Sequence, residues 1–500
     1  MGYIVDSSNL FLILQFPGLR VVRGDPRQTA TQTTSKSNTS IHTRMMEINY
    51  QNKKFEKAHR FLDKLEERIN PGVLLLVVAL LTIIIANSYW HDWYESLWKT
   101  KLYFGTEHFN LFSAHGHAFT TLEFINDALM VIFFFTVGLE IKREILVGEL
   151  SSFRQAILPI IAAFGGMIVP VLVFFCIGMF QGFSPEEIKG MAIPMATDIA
   201  FSLGILSLLG KRVPLSLKIF LLAFATVDDI GGIAVIAIFY SQFTTASFVY
   251  LFIAALLFGI LIIGNRLRVN SKLFYAIVGI VIWYLFLQAG IHPTIAGVLV
   301  AFTVPARPHL NVKRFTQGIQ HDLDIIRETI PADGKENIIL NNKQIKYFSR
   351  IESASDMVIS PLQDFENNLN SLVTYLIMPL FAFANAGVVI NTSNPNIFSG
   401  ITFAIMLGLI LGKLVGIYSF TWLSVKLKIG RLSSGMTWKN LFALSLLGGV
   451  GFTVALFLGG LSYTHGSELL NQAKLGVIIG SIVSGIFGYI MLRIVLTKKQ

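Results

Sequence analysis

Charge and cysteine are both scarce in this chain. Only 14% of its 500 residues are Asp, Glu, Lys or Arg, against 53% hydrophobic, too little polar surface to cover a soluble globule of this length. The single cysteine, Cys176, lies in an apolar run, which excludes an intrachain disulfide, a thiolate metal cluster and a paired-cysteine redox motif. No phosphate-binding glycine loop, catalytic serine motif or His/Asp/Glu set at metal spacing occurs. The reading therefore expects no cofactor and no enzyme. The short alternating segments of a membrane barrel are missing as well.

What the chain has instead is repeated runs of ~20 apolar residues, each long enough to cross a ~30 Å hydrocarbon core. The expected fold is an all-α polytopic membrane protein with about twelve spans, placed by length and flanking breakers. They fall near 72–90, 122–147, 156–180, 188–209, 215–240, 248–265, 273–289, 292–304, 369–390, 397–425, 438–463 and 472–496. The net charge of +10 does not point to nucleic acid, because Lys and Arg gather in alternate connections. Lys142, Arg143 and Arg154 lie in one, Lys211, Arg212 and Lys218 in the next, then Arg266, Arg268 and Lys272, and later Lys426, Lys428 and Arg431. That asymmetry predicts both termini in the cytoplasm and an even number of spans.

Residues 1–52 read as a disordered extension: an apolar stretch too short to span, then a Ser/Thr/Gln tract, with positive charge on the wrong side for a signal peptide. Met45 or Met46 is a candidate true start. Residues 53–71 read as a charged cytoplasmic lead-in helix, 72–305 as the first eight spans, 369–496 as the last four and 497–500 as a tail. Between the two sets, 306–368 reads as a helical cytoplasmic insertion, with Leu323, Ile326 and Ile330, then Ile345, Phe348 and Ile351, at helical spacing.

Polar groups inside the spans carry the functional argument. Asp228 and Asp229 sit together within LLAFATVDDIGGIAVIAIFY. A carboxylate at the centre of a spanning helix costs roughly 2.5–3.5 kcal/mol on insertion scales, so two together mark an ion or proton site, or an acid paired with a lysine on another helix. Neighbours diverge by about 100° around a helix, so one acid is expected to face water and the other a partner. Lys413, deep in LGLILGKLVGI, is the candidate partner of Asp228.

Two spans carry helix-breaking sequence. Pro194 precedes Ala196-Thr197-Asp198, and the eleventh span holds Gly448, Gly449 and Gly451. Proline disrupts its preceding turn, whereas clustered glycines serve close packing or unwinding. Breaks at comparable places in two halves suggest a site built from half-helix ends, where Asp198 offsets electropositive N-termini and a cation the C-termini. Asp127 lies near one end of the second span. Glu140, Arg143 and Glu144 share a face near the other, either as an interfacial ion-pair cluster or as an entrance that concentrates cations. His292, beside Pro293, reads as structural.

The stretches FINDALMVIFFFTVGLEIKRE, ATDIAFSLGILSLLG, FATVDDIGGIAVI, GIHPTIAGVLVAFTVPARP, LFAFANAGV, LGKLVGI and GGVGFTVALF together resemble the NhaA family of sodium/proton antiporters, over roughly residues 70–496. The resemblance implies inverted-topology repeats with two discontinuous crossing helices, an architecture for which this family is a standard example, in a bacterial inner membrane. It implies that Asp229 is the main Na⁺-binding carboxylate, with Asp228 beside it and paired to Lys413. Asp198 and Thr197 would sit at the helix crossing, and Asp127 on the periplasmic route. Glu140, Arg143, Glu144 and Glu366 would form the cytoplasmic pH-responsive cluster. Two departures stand out: Asn370 replaces the histidine expected before the ninth span, and the segment before it is longer than usual. Both touch the pH-responsive region, so the pH profile does not carry over while the ion chemistry does.

The implied mechanism is competition. A carboxylate binds Na⁺ or Li⁺ only when deprotonated, and partial burial tightens its hold on a proton. Alternating access would then couple the gradients, with about two protons per Na⁺ making exchange electrogenic at ~2.3 kcal/mol per net charge per 100 mV. Membrane lipid, Na⁺ and H⁺ are the expected partners, nucleic acid is not, and a homodimer is left open. Rival readings are a sodium-coupled solute symporter and an intramembrane aspartyl protease, although the Gly-x-Gly-Asp segment of the latter is missing.

Overall fold

The computed structural model describes residues 69–497 except 104, 107–108, 111, 115–116, 242–246, 309, 330–338, 390–399 and 434. The expectations for residues 1–68 lie outside the described residues. Those described belong to one compact unit, Lys64–Gln500.

Helices dominate because the apolar runs have nowhere else to satisfy their backbone groups in lipid. Seven described helices are long and apolar enough to cross a membrane: Thr121–Leu146, Phe153–Gln181, Leu215–Phe239, Ser247–Arg266, Lys272–Ala289, Ile401–Lys426 and Glu468–Leu496. Three bent pairs bring the number to ten. At about 1.5 Å per residue the 25 residues of Leu215–Phe239 reach roughly 37 Å, more than the hydrocarbon core. The protein is a multi-pass membrane protein.

The remaining expected spans are less regular. The first ends at Ala86 rather than near residue 90, and His91–Lys99 turns away by 109°. The chain stops there because Asn87 donates its side-chain amide to Ile83 O and Val388 O, ending the helix and tying it to a distant strand of backbone. The eighth is a single helix of 11 residues, Pro293–Thr303, begun by a proline at its first position. The ninth is assembled from Pro361–Leu372, a π-helical turn Val373–Ile377, and Met378–Asn385. The fold is all-α in keeping with the expectation, with two small antiparallel ladders in one connection, Gly105–Thr106 with Phe109–Asn110 and Ser113–Ala114 with His117–Ala118.

The 306–368 segment is helical as expected, through Val312–Glu328 and Asn342–Val358. Its inward side differs from the expected apolar set. Ile326 is buried, but Leu323, Ile345 and Phe348 are exposed, while Asp322 and Gln344 take buried positions. Arg350 reaches Asp322 at 3.5 Å, so a polar contact joins the two helices where an apolar stripe was anticipated. Ile330 lies outside the described residues.

Close helix packing sets the frame around the polar centre. Phe153–Gln181 runs against Ile401–Lys426, and a side chain at Gly165 or Gly416 would strike the other's backbone oxygen. Small residues let two backbones meet in this way within lipid. Cys176 lies exposed on the first of these helices.

Candidate ion site

Two of the bent pairs break at mid-length and bond to each other there. Lys189–Met195 is a 3-10 helix containing Pro194, residues 196–198 are extended, and Ile199–Leu208 then continues at 42°. Trp438–Leu447 and Phe452–Ser462 are separated at Gly448–Gly451 and bent by 44°. Each break exposes backbone groups that a continuous helix would pair internally. Here they pair across: Asp198 N donates to Val450 O at 2.7 Å, Thr197 Oγ1 to Gly448 O at 2.8 Å and Ser202 Oγ to Leu447 O at 3.2 Å.

Asp198 caps both helices that start at the breaks. One oxygen accepts Phe201 N at 2.9 Å; the other accepts Thr453 N at 3.0 Å and the Thr453 hydroxyl. Two electropositive helix N-termini thus converge on one buried carboxylate. A Cβ at Gly449 would meet Leu409 O, and one at Gly451 would meet Ala196 O at 2.8 Å, so neither of these two glycines leaves room for a side chain. The break borrows a cap from the last span instead: Ser481 Oγ accepts Gly451 N at 3.3 Å and Phe452 N at 3.1 Å. Sequence reasoning missed Ser481, for which a serine in an apolar run, shared with Ser484, is the only signal.

The neighbouring acids of Leu215–Phe239 have different fates. Lys413 Nζ donates to Asp228 Oδ2 at 2.8 Å, with side-chain exposures of 0% and 1%. Lys413 directly follows a π-helical turn, Gly408–Gly412, and lies 5.6 Å from the Phe224 ring centroid. Such a pair is tolerable in the interior because each charge answers the other. The Asp229 side chain makes no hydrogen bond to another described residue. It lines a cavity of about 400 Å³ together with Glu140, Asp198, Asn370 and Thr453.

About one helical turn on from Glu140, Arg143 bonds Glu366 and lies 3.4 Å from Glu144. Glu144 also accepts Glu149 N at 3.2 Å, closing the end of its helix. Asn370 accepts from Thr374 Oγ1 at 3.4 Å.

A second cavity, of about 430 Å³, lies toward the other end of Thr121–Leu146 and is lined by Glu123, Asn126, Asp127, His292, Phe457 and His465. Asp127 sits in a π-helical turn, Phe124–Leu129, a distortion that often marks functional positions. His292, read from the sequence as structural, places Nε2 3.5 Å from Asp127 Oδ1. Phe457, which also lines this second cavity, packs against Phe134 and Phe381, with ring centroids 5.5 and 6.2 Å away. Among the described residues no three His, Cys, Asp or Glu side chains gather as a metal-holding group.

Interrupted helices bonded at mid-length, one paired and one unpaired carboxylate beside them, and cavities at two levels are the construction of a membrane carrier. The family described as Na⁺/H⁺ antiporter 1 matches residues 63–492, and the chain belongs to it. Proteins named Na(+)/H(+) antiporter NhaA are similar: one from Phocaeicola vulgatus is 52% identical over 86% of this chain and 95% of its own length. One from Bacteroides fragilis is 53% identical over 86% and 97%, and one from Porphyromonas gingivalis 43% over 88% and 97%. The chain is accordingly a secondary transporter, not an enzyme.

Proposed function

We propose that this protein exchanges Na⁺ or Li⁺ for protons by competition at Asp229. The observation that carries this reading is the contrast within one pair: Asp228 is neutralised by Lys413, while the Asp229 carboxylate has no partner among the described residues and faces a cavity. A hard cation seeks oxygen ligands and takes the carboxylate only after its proton leaves. Either ion therefore excludes the other, and exchange follows if the site opens to each side in turn.

In this reading the chain has twelve spans built as inverted repeats, with the two interrupted helices crossing. It lies in a bacterial inner membrane with both termini in the cytoplasm. The Glu140 cavity is then the cytoplasmic entrance and the Asp127 cavity the periplasmic one. Arg143, Glu144, Glu366 and Asn370 border the entrance and set the dependence on cytoplasmic pH. Thr197 and Asp198 belong to the ion site with Asp229 and hold the two breaks in register there. Proton movement through Asp229 and the Asp228/Lys413 pair makes exchange electrogenic.

The test is Na⁺-dependent proton release in everted vesicles across pH. Asp229→Asn is expected to abolish release at every pH, since an amide neither titrates nor carries the charge that holds Na⁺. Exchange that survives this substitution overturns the assignment. Exchange in proteoliposomes that does not respond to an imposed voltage overturns the electrogenic part.

A further inference from the structure

A further cavity, of about 330 Å³, adjoins the Asp127 cavity and shares Glu123 and His465 with it. The short helix His91–Lys99 forms one wall through Tyr94, Glu95 and Trp98, and the start of the last span forms another. Ser467, Leu470, Asn471 and Lys474 fall at i, i+3, i+4 and i+7, one helical face, and all four line the cavity. That wall is electropositive twice over. The N-terminus of a 30-residue helix, Glu468–Thr497, opens there, and Lys474 stands in its second turn.

The acids of this cavity are already committed, and its donors are not. Glu95 takes Lys99 Nζ at 2.5 Å, and Glu123 accepts the Thr120 amide at 2.7 Å and the Thr120 hydroxyl at 3.0 Å. Lys474, His465 and the Asn471 side chain have no hydrogen-bond or ion-pair partner among the described residues. The buried indole nitrogen of Trp98 has no acceptor among them either. Burial, and then the charge of Lys474, hold the His465 ring below its ordinary value, so it offers a neutral N–H beside the ammonium. Unpaired donors gathered in one cavity call for an acceptor that these residues do not supply, and one with negative charge answers the lysine as well.

We propose that this cavity is a phosphate site, filled by the headgroup of a phospholipid in the leaflet on the Asp127 side, with Lys474 as the group that pairs with it. The volume is roughly ten times the ~30 Å³ share of one water molecule, room for a phosphate group rather than a lone small ion. Its level in the bilayer argues for the lipid. Tyr89, Trp90 and Trp93, at the turn where the first span stops and on the short helix that follows, are exposed, and exposed Trp and Tyr collect at the headgroup region. Basic pockets between spans at that level take lipid phosphates. The site is separate from Asp229 and does not depend on the antiport reading; a phosphate bound there would cancel the Lys474 charge beside the Asp127 cavity.

The experiment uses the full chain, purified in detergent and stripped of lipid, and follows its thermal midpoint as ligand is added, since a ligand of the folded state raises the midpoint as it saturates. Phosphatidylglycerol should raise it saturably, and diacylglycerol with the same acyl chains should not. Lys474→Gln should weaken the apparent affinity for phosphatidylglycerol about tenfold, the loss of one charge-assisted hydrogen bond, whereas Lys474→Arg should retain it. An equal response to diacylglycerol, or the native affinity in Lys474→Gln, overturns the phosphate site. Inorganic phosphate that by itself gives the full rise overturns the headgroup as the source and leaves the cavity to the free ion. Should Lys474→Gln not fold, Asn471→Leu removes a neutral donor from the same helical face and must weaken the affinity by a smaller factor; no weakening there is equally fatal. None of these readings involves transport, so their failure leaves the exchange at Asp229 untouched.

Discussion

The two helix breaks solve one problem with opposite materials. At 196–198 the chain supplies its own charge: Asp198 caps the helix that follows it and the partner helix as well. At 448–451 the chain supplies almost nothing, since glycines leave the backbone bare and a hydroxyl from Ser481 satisfies the freed amides. One break is held by an ion at its centre, the other by close fit and a neighbour's help. The first should therefore fail through loss of charge, the second through gain of volume.

The sharpest test of that contrast is Asp198→Ala, which strands Phe201 N and Thr453 N in a buried site. The expected cost is about 3 kcal/mol or more, read as a large fall in the thermal midpoint of the detergent-solubilised protein, with Asp198→Asn falling less because one oxygen still accepts. Next comes Gly449→Ala, whose methyl group meets Leu409 O; overpacking of this kind costs about 1–3 kcal/mol. Ser481→Ala removes a borrowed cap and should cost about 1 kcal/mol. A loss as large as that of Asp198→Ala would erase the distinction between the breaks.

The smallest effect is expected far from both breaks, on His91–Lys99. There Lys99, by its hydrogen bond, holds the Glu95 carboxyl below its ordinary value. A depressed carboxyl contributes stability above its unfolded value and loses it as pH falls through the folded one. Because the pair is an exposed one at i,i+4 spacing, Glu95→Gln should cost only about 0.3–0.5 kcal/mol at neutral pH and nothing in acid. Comparing thermal midpoints at the two pH values checks both sign and size.

How much of this was readable from the sequence follows the same contrast. Charges in apolar runs cost so much that Asp198, Asp228 and Lys413 announce themselves, and spacing alone divided the acid pair into one free and one partnered group. Proline at 194 and the glycines at 448–451 marked the breaks because each weakens a helix locally. Features that depend on distant segments were not visible. Ser481 is one serine among many until the last span brings it to Gly451, and His292 looks structural until a separate helix sets Asp127 opposite it. The first helix was read too long because its stop, Asn87, is secured by a carbonyl at Val388. In the 306–368 segment, helical period was legible, but which face turns inward is decided by Asp322 and Arg350.

The glycine contact between Phe153–Gln181 and Ile401–Lys426 has a consequence for movement. With Gly416 set against Gly165, and Gly412 against Pro170, the stretch bearing Lys413 is clamped on both sides to its neighbour, so the two helices should travel as one plank. Separating the ammonium from Asp228 then means sliding Leu215–Phe239 past that plank. The only thiol of the chain, Cys176, rides on the plank, so a label attached there would tag the plank without any engineered cysteine.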